Sequence, residues 1–224
     1  MKKILGLALA VGLLSQTANA ALLATWNFNT NASGTVATGA TGSVTDFVNF
    51  GTTGSEGVNG SRSANAGVGS TGGWQTASNI TTDASGITGT RYNKFTFTNT
   101  GTGPYLLDQL DFSIKRVGGS GFLSVSAAVT YVIGGVESDP VASASSNSSS
   151  TFNSSNNPLS VILGAGQTVE FRFYYYRGSN GTPGIGAVVD DIKVYGGTVP
   201  EPTSLAVFAL VGGGLVARRI RRKV

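Results

Sequence analysis

The chain has 224 residues, 33 of them glycine, with 12% charged residues and neither histidine nor cysteine. Without histidine there is no Ser-His-Asp triad, no histidine-ligated zinc and no common general base; without cysteine there are no disulfide staples. The formal charge of +4 sits at the two ends, and Ala21 to Thr198, with eight basic and ten acidic residues, offers no basic patch for nucleic acid.

The first twenty residues read MKKILGLALAVGLLSQTANA. Lys2 and Lys3 precede an apolar stretch from Ile4 to Leu14, and Ala18-Asn19-Ala20 ends it with small residues at the positions a signal peptidase requires. Residues 1–20 are therefore predicted to be a secretory signal peptide, cleaved before Ala21.

From Ala21 to Thr198 the hydrophobic period is two. Ala24, Trp26 and Phe28 alternate with polar residues, as do Phe95 and Phe97, and Leu110, Phe112 and Ile114. Further runs hold Leu123, Val125, Ala127, Val129, Tyr131 and Ile133, then Leu159, Val161 and Leu163, then Val169, Phe171, Phe173 and Tyr175. A last run holds Val188, Ile192 and Val194. Such runs, separated by Gly, Asn and Ser, predict an all-β fold, an antiparallel β-sandwich over residues 21–198. About 178 residues suffice for one core without staples. Between Asn29 and Gly89 the pattern weakens to long loops and short edge strands. Ser143 to Asn157, SASSNSSSTFNSSNN, reads as a low-complexity loop.

Residues 199–224 read VPEPTSLAVFALVGGGLVARRIRRKV. Thr203 to Ala217 is an uncharged run of fifteen residues, short of the ~20 that a full bilayer crossing needs. Seven strongly apolar side chains supply only about −3 kcal/mol of insertion free energy. Arg218, Arg219, Arg221, Arg222 and Lys223 follow, so the C-terminus stays cytoplasmic and the long side chains lengthen the span by snorkelling. Pro200 and Pro202 hold the preceding stretch extended. The order Pro200-Glu201-Pro202, short apolar transmembrane helix and basic end resembles a PEP-CTERM sorting signal. The resemblance implies an exosortase-type membrane protease as partner, acting on the Pro-Glu-Pro motif. It also implies transient membrane anchoring, followed by delivery to the cell surface or extracellular matrix.

The exported part opens on Trp26-Asn27-Phe28 and closes on FRFYYY and VVDDIKVYG just before the motif. In this order it resembles the jelly-roll domains of PEP-CTERM proteins and, in its final strand, lectin-like jelly rolls. That likeness bears on fold rather than activity.

Candidate chemistry is sparse. Asp190 and Asp191 are adjacent on a strand and so face opposite ways; Asp190 shares its face with Val188, Ile192 and Val194, read as inward, and Asp191 sides with Lys193 and Tyr195. Asp190 is either a structural carboxylate or a calcium ligand, and no loop with calcium spacing accompanies it. Asp108 and Asp111 also fall on opposite faces, Glu137 and Asp139 follow a Gly-Gly turn, and nothing singles out a long-range pair such as Glu170 with Asp191 for glycoside hydrolysis. Tyr174 and Tyr176 share the polar face of their strand with Glu170 and Arg172, and Trp74 sits among glycines. These rings either cover a sheet face or stack on sugars.

The sequence thus describes an exported surface or matrix protein, non-catalytic, without cofactor or metal, and associated with exopolysaccharide. The alternative is a carbohydrate-binding module; a secreted glycoside hydrolase is a third reading. Changing Pro200, Glu201 and Pro202 together to Ala is expected to leave the tail attached and the protein in the membrane. Mass spectrometry of the C-terminus in a host with the processing enzyme checks this; trimming like the wild type would reduce the segment to a plain anchor.

Overall fold

The computed structural model describes residues 20–50, 60–63, 73–76, 92–117, 124–177 and 186–199. The expected signal peptide (apart from its last residue) and the tail from Pro200 lie outside these residues. Among the described residues there are strands and no helix. The strands are β1 (Ala21–Trp26), β2 (Thr35–Val36), β3 (Gly42–Val44), β4 (Val48–Phe50), β5 (Gly60–Ser63), β6 (Gly73–Thr76) and β7 (Tyr92–Asn99). They continue with β8 (Tyr105–Val117), β9 (Val125–Ile133), β10 (Val136–Glu137), β11 (Ala142–Ser146), β12 (Asn153–Leu163), β13 (Thr168–Arg177) and β14 (Gly186–Thr198).

Two antiparallel sheets result. The first runs β12-β8-β14-β1-β2, with β6 on β14 and β5 on β6. The second runs β10-β9-β13-β7-β3, with β11 also on β9 and β4 on β7. The eight longest strands are β1, β7, β8, β9, β11, β12, β13 and β14. Counted in that order, first pairs with eighth, second with seventh, third with sixth and fourth with fifth. That is a hairpin-like ribbon folded over on itself, the jelly-roll form of the sandwich.

The period-two residues meet between the sheets. Trp26 and Phe112 from the first sheet, and Phe95, Phe97, Phe171 and Phe173 from the second, are fully buried. Their rings interlock across the gap: Trp26 lies 4.0 Å from Phe95, and Phe112 stands edge-on to Phe173 at 5.3 Å. Phe47, between β3 and β4, adds edge contacts to Phe28 and Phe173. Such tilted and edge-on pairs add to the hydrophobic gain. Trp26 Nε1 donates to the Thr45 carbonyl at 3.0 Å, and Gly34 lies so close over the indole that a Cβ there would collide with it.

Two readings of the sequence are corrected. Ser143 to Asn157 is mostly strand: β11 ends at Ser146 and β12 begins at Asn153. Its small polar side chains act as fasteners where the two sheets meet at their edges. Asn153 Nδ2 donates to the Ser145 carbonyl, Ser155 Oγ to the Ser143 carbonyl, and Asn157 Oδ1 accepts from the Ser143 N–H. Serine and asparagine usually offer such bonds in turns; here the partner is a neighbouring strand.

The second correction concerns β14. Val189, not Val188, joins the main core with Ile192 and Val194. Pairing with β8 slips between Asp190 and Lys193, and Asp191 takes φ +51°. This is a bulge, so Asp190 and Val188 lie on the face away from the core, although both are buried.

The hairpin from β9 to β10 turns at Gly134-Gly135, both with positive φ, as a two-residue loop of the mirror-image type demands. At the same end of the second sheet, buried Asn99 closes the turn between β7 and β8. Its Nδ2 donates to the carbonyls of Gly103, Leu163 and Gly164, and its Oδ1 accepts from the Gly101 N–H. Asn99→Ala strands several of these groups and is expected to cost about 3 kcal/mol. Thermal unfolding should show Tm lowered by about 6–12 °C.

Candidate functional site

The outer face of the second sheet carries a closed charge network. Lys94 on β7 and Glu170 and Arg172 on β13 alternate with core phenylalanines, so they point outward. Lys94 Nζ lies 2.7 Å from Glu170 Oε2, and Arg172 Nε 2.7 Å from Glu170 Oε1. The other side of the Arg172 guanidinium meets Glu137 Oε2 on β10 at 2.6 Å. Glu137 Oε1 accepts from the Tyr174 hydroxyl at 2.8 Å and from Thr130. Beneath the charges, Arg172 stacks over the Tyr92 ring at 4.5 Å, and Tyr92 lies 5.3 Å from Tyr174.

Each group in this network constrains its neighbour. Burial opposes the charge on Glu170, but hydrogen bonds and positive charge from Lys94 and Arg172 outweigh it and hold the carboxyl below the ordinary glutamate range. Burial, and then the Glu137 carboxylate, push the Tyr174 hydroxyl well above the usual tyrosine value. A carboxyl held ionised in this way is a poor general acid for glycoside hydrolysis, which needs a raised one.

The sequence assigned Tyr174 and Tyr176 to this outer face, and the alternation on β13 agrees. Tyr174 is only 2% exposed, with its hydroxyl committed to Glu137; Tyr176 is half-buried. Trp74 lies on β6, paired with Val189 of the first sheet, so it is not on a sheet with the two tyrosines. Ala21 begins β1. Ala20 is exposed; Ala18, the motif Pro200, Glu201 and Pro202, and the cluster Arg218, Arg219, Arg221, Arg222 and Lys223 lie outside the described residues. Glu170 and Asp191 belong to different sheets.

Around Lys193 and Tyr195 the outer face of the first sheet is chemically open. Because Leu110, Phe112, Ile192, Val194, Ala24 and Trp26 enter the core, the residues between them face out. Register aligns Asn156, Asp111, Lys193, Thr25 and Thr35 in one row across five strands, roughly 19 Å at normal strand spacing. The adjoining row is Pro158, Gln109, Tyr195 and Leu22. Gln109 Nε2 donates to Asp111 Oδ1 at 2.8 Å. The side chains of Tyr195, Lys193 and Asn156 make no hydrogen bond or ion pair among the described residues, and Tyr195 and Lys193 are half-buried rather than covered.

Two carboxylates flank these rows. Asp108 is the residue that both β12 and β14 skip; burial raises its carboxyl, and its Oδ1 has no hydrogen-bond partner among the described residues. Asp190 Oδ1 accepts from the Asp191 N–H at 2.8 Å, satisfying the amide that the bulge removes from the ladder. Among the described residues, no three acidic side chains converge as a metal site would require.

Sequence reasoning noted that Asp191, Lys193 and Tyr195 share a side but did not recognise a site. The available signal was their alternation with Ile192 and Val194. Their partners Gln109, Asp111, Thr25 and Asn156 come from three other strands and could be aligned only by register.

Neither a protein-family model nor a curated protein matches the chain. Among solved structures it is similar to the CBM22-1 and GH10 modules of Clostridium thermocellum endo-1,4-β-D-xylanase 10B complexed with xylohexaose, at 14% identity and TM-score 0.41. That match covers 80% of this chain and 30% of the xylanase chain, so this chain spans less than a third of it. It is also similar to the family 11 carbohydrate-binding module of C. thermocellum in complex with a β-1,3-1,4-mixed-linked tetrasaccharide, at 16% identity and TM-score 0.33, covering 72% of this chain and 91% of that one. A third similar structure, a CocE/NonD family hydrolase from Staphylococcus aureus, has 9% identity and TM-score 0.37, over 80% and 37% of the two chains. The sandwich itself is defined by this chain's own two sheets.

The charge network has a pH signature. The folded state lowers the Glu170 carboxyl, so its contribution is present above the unfolded value and is lost as pH falls through the folded one. Tm measured from pH 7 to about pH 3 should therefore fall more steeply for the wild type than for Glu170→Gln. Parallel acid limbs would remove Glu170 from the network's energetics.

Proposed function

We propose that the chain is an exported, non-catalytic polysaccharide-binding module, which its C-terminal tail directs to the cell surface or extracellular matrix. The observation that carries the binding function is the open platform on the outer face of the first sheet. A half-buried tyrosine ring stands beside a row of amide, carboxylate, ammonium and hydroxyl groups. Several of those groups have no hydrogen-bond or ion-pair partner among the described residues. A sugar offers both an apolar face and a rim of hydroxyls, and the platform matches each. The second sheet's outer face spends its polar atoms on itself and supports a structural role for Tyr174.

The delivery part of the proposal rests on the sequence of the two ends. Residues 1–20 direct export and are removed by signal peptidase. Pro200, Glu201 and Pro202 are read by an exosortase-type membrane protease, while Arg218, Arg219, Arg221, Arg222 and Lys223 stop transfer. In the matrix the module holds exopolysaccharide without cleaving it.

Affinity electrophoresis through gels containing soluble polysaccharides tests the binding function. A ring face lost from contact is worth about 1.5 kcal/mol, so Tyr195→Ala should weaken retardation roughly tenfold, while Tyr174→Phe should leave it unchanged. If the chain is retarded and the Tyr195 variant is retarded equally, the platform is the wrong face.

A further inference from the structure

The platform ends in an apolar corner. Beyond the Tyr195 row, register places Ile162, Leu106 and Gly197 side by side on β12, β8 and β14. Ile162 is 62% exposed and Leu22 36%; they are two of only four large apolar side chains exposed among the described residues. Gly197 brings no side chain to cover the gap. The chain leaves the fold at this same corner. β14 ends at Thr198, opposite Tyr105, and the Val199 N–H donates to the Pro104 carbonyl at 2.9 Å. Ala21, opposite Gly196, starts β1 at the same end.

The distance to any membrane that the tail enters is short. From Val199 to Thr203, where the uncharged run of fifteen residues begins, there are four residues, at most about 14 Å of extended chain. Ile162 stands two strands from β14, about 10 Å to the side. A bilayer holding the tail is therefore within reach of the corner, and the tether makes their meeting an intramolecular event. The side chains suit that surface: aliphatic Leu22, Leu106 and Ile162, a tyrosine of the kind enriched at bilayer interfaces, and Lys193, whose stem can lie along apolar surface while its ammonium stays in water.

We infer that, while the tail is in the membrane, the corner formed by Leu22, Leu106 and Ile162 rests on the lipid surface. This rests on the tail acting as an anchor, as proposed above. It adds a consequence for the platform. Tyr195 lies between the corner and the polar row, so lipid contact covers the glycan face, and removal of the tail uncovers it.

The absence of native cysteine permits a direct test. The chain carrying its tail is prepared as Ile162→Cys and, separately, as Val136→Cys, which is 73% exposed on the other sheet. Each is labelled with an environment-sensitive fluorophore. Each is then reconstituted into phosphatidylcholine vesicles containing lipids brominated just below the headgroup. The label at 162 should shift to the blue and lose at least half its intensity to the brominated lipid, while the label at 136 should not change. A chain that floats with the vesicles but keeps the 162 label in water overturns this inference and leaves the anchor intact. A chain that does not float overturns both. Comparable quenching at both positions would mean a different orientation on the membrane and would equally overturn it.

Discussion

The interlock of rings across the gap between the sheets is the constraint from which the other features follow. Phe112 reaches from the first sheet to Phe173 of the second, and Trp26 to Phe95. The chain has no cysteine to cross-link it and no helix among its described residues to cover a sheet face. Cohesion between the sheets must therefore come from apolar contact, and large rings supply the most area per residue. With one side of every long strand spent in this way, the other side is left to face outward.

The two outer faces use that freedom differently. On the second sheet, Lys94, Glu170, Arg172, Glu137 and Tyr174 satisfy one another over Tyr92. Breaking such a network to bind a ligand would leave half-buried charges unpaired, which is costly. On the first sheet, Tyr195, Lys193 and Asn156 carry no such commitments among the described residues. A ligand that meets them displaces water rather than an existing partner. Aromatic content alone would have favoured the second face; the state of the polar atoms favours the first.

The long core strands were legible because burial on one side imposes a period of two, and β7, β12 and β13 follow it. Three features were not legible. The Ser/Asn-rich segment looked like a loop because nothing in its composition says that Asn153 and Ser155 find backbone partners on β11. Glu137 was read only as following a Gly-Gly turn, because two of its partners, Arg172 and Tyr174, lie more than thirty positions away. The inward reading of Asp190 failed because period-two counting assumes an unbroken ladder, and β14 has one residue too many.

That extra residue decides what the first sheet shows to solvent. Ala187 and Val189 point into the core, so an uninterrupted strand would also turn Asp191, Lys193 and Tyr195 inward and expose Ile192 and Val194. The slip at Asp190–Asp191 exchanges the two sets. Asp191 enters the left-handed region at φ +51°, which an aspartate tolerates better than a branched residue, and the Asp190 carboxylate takes up the N–H released there. Both residues of the Asp-Asp pair thus have structural work on this strand. Through it, two buried aliphatics gain the core, and a lysine and a tyrosine gain the surface beside Gln109 and Asp111. The polar platform is therefore a product of the bulge, as much as of the residues that line it.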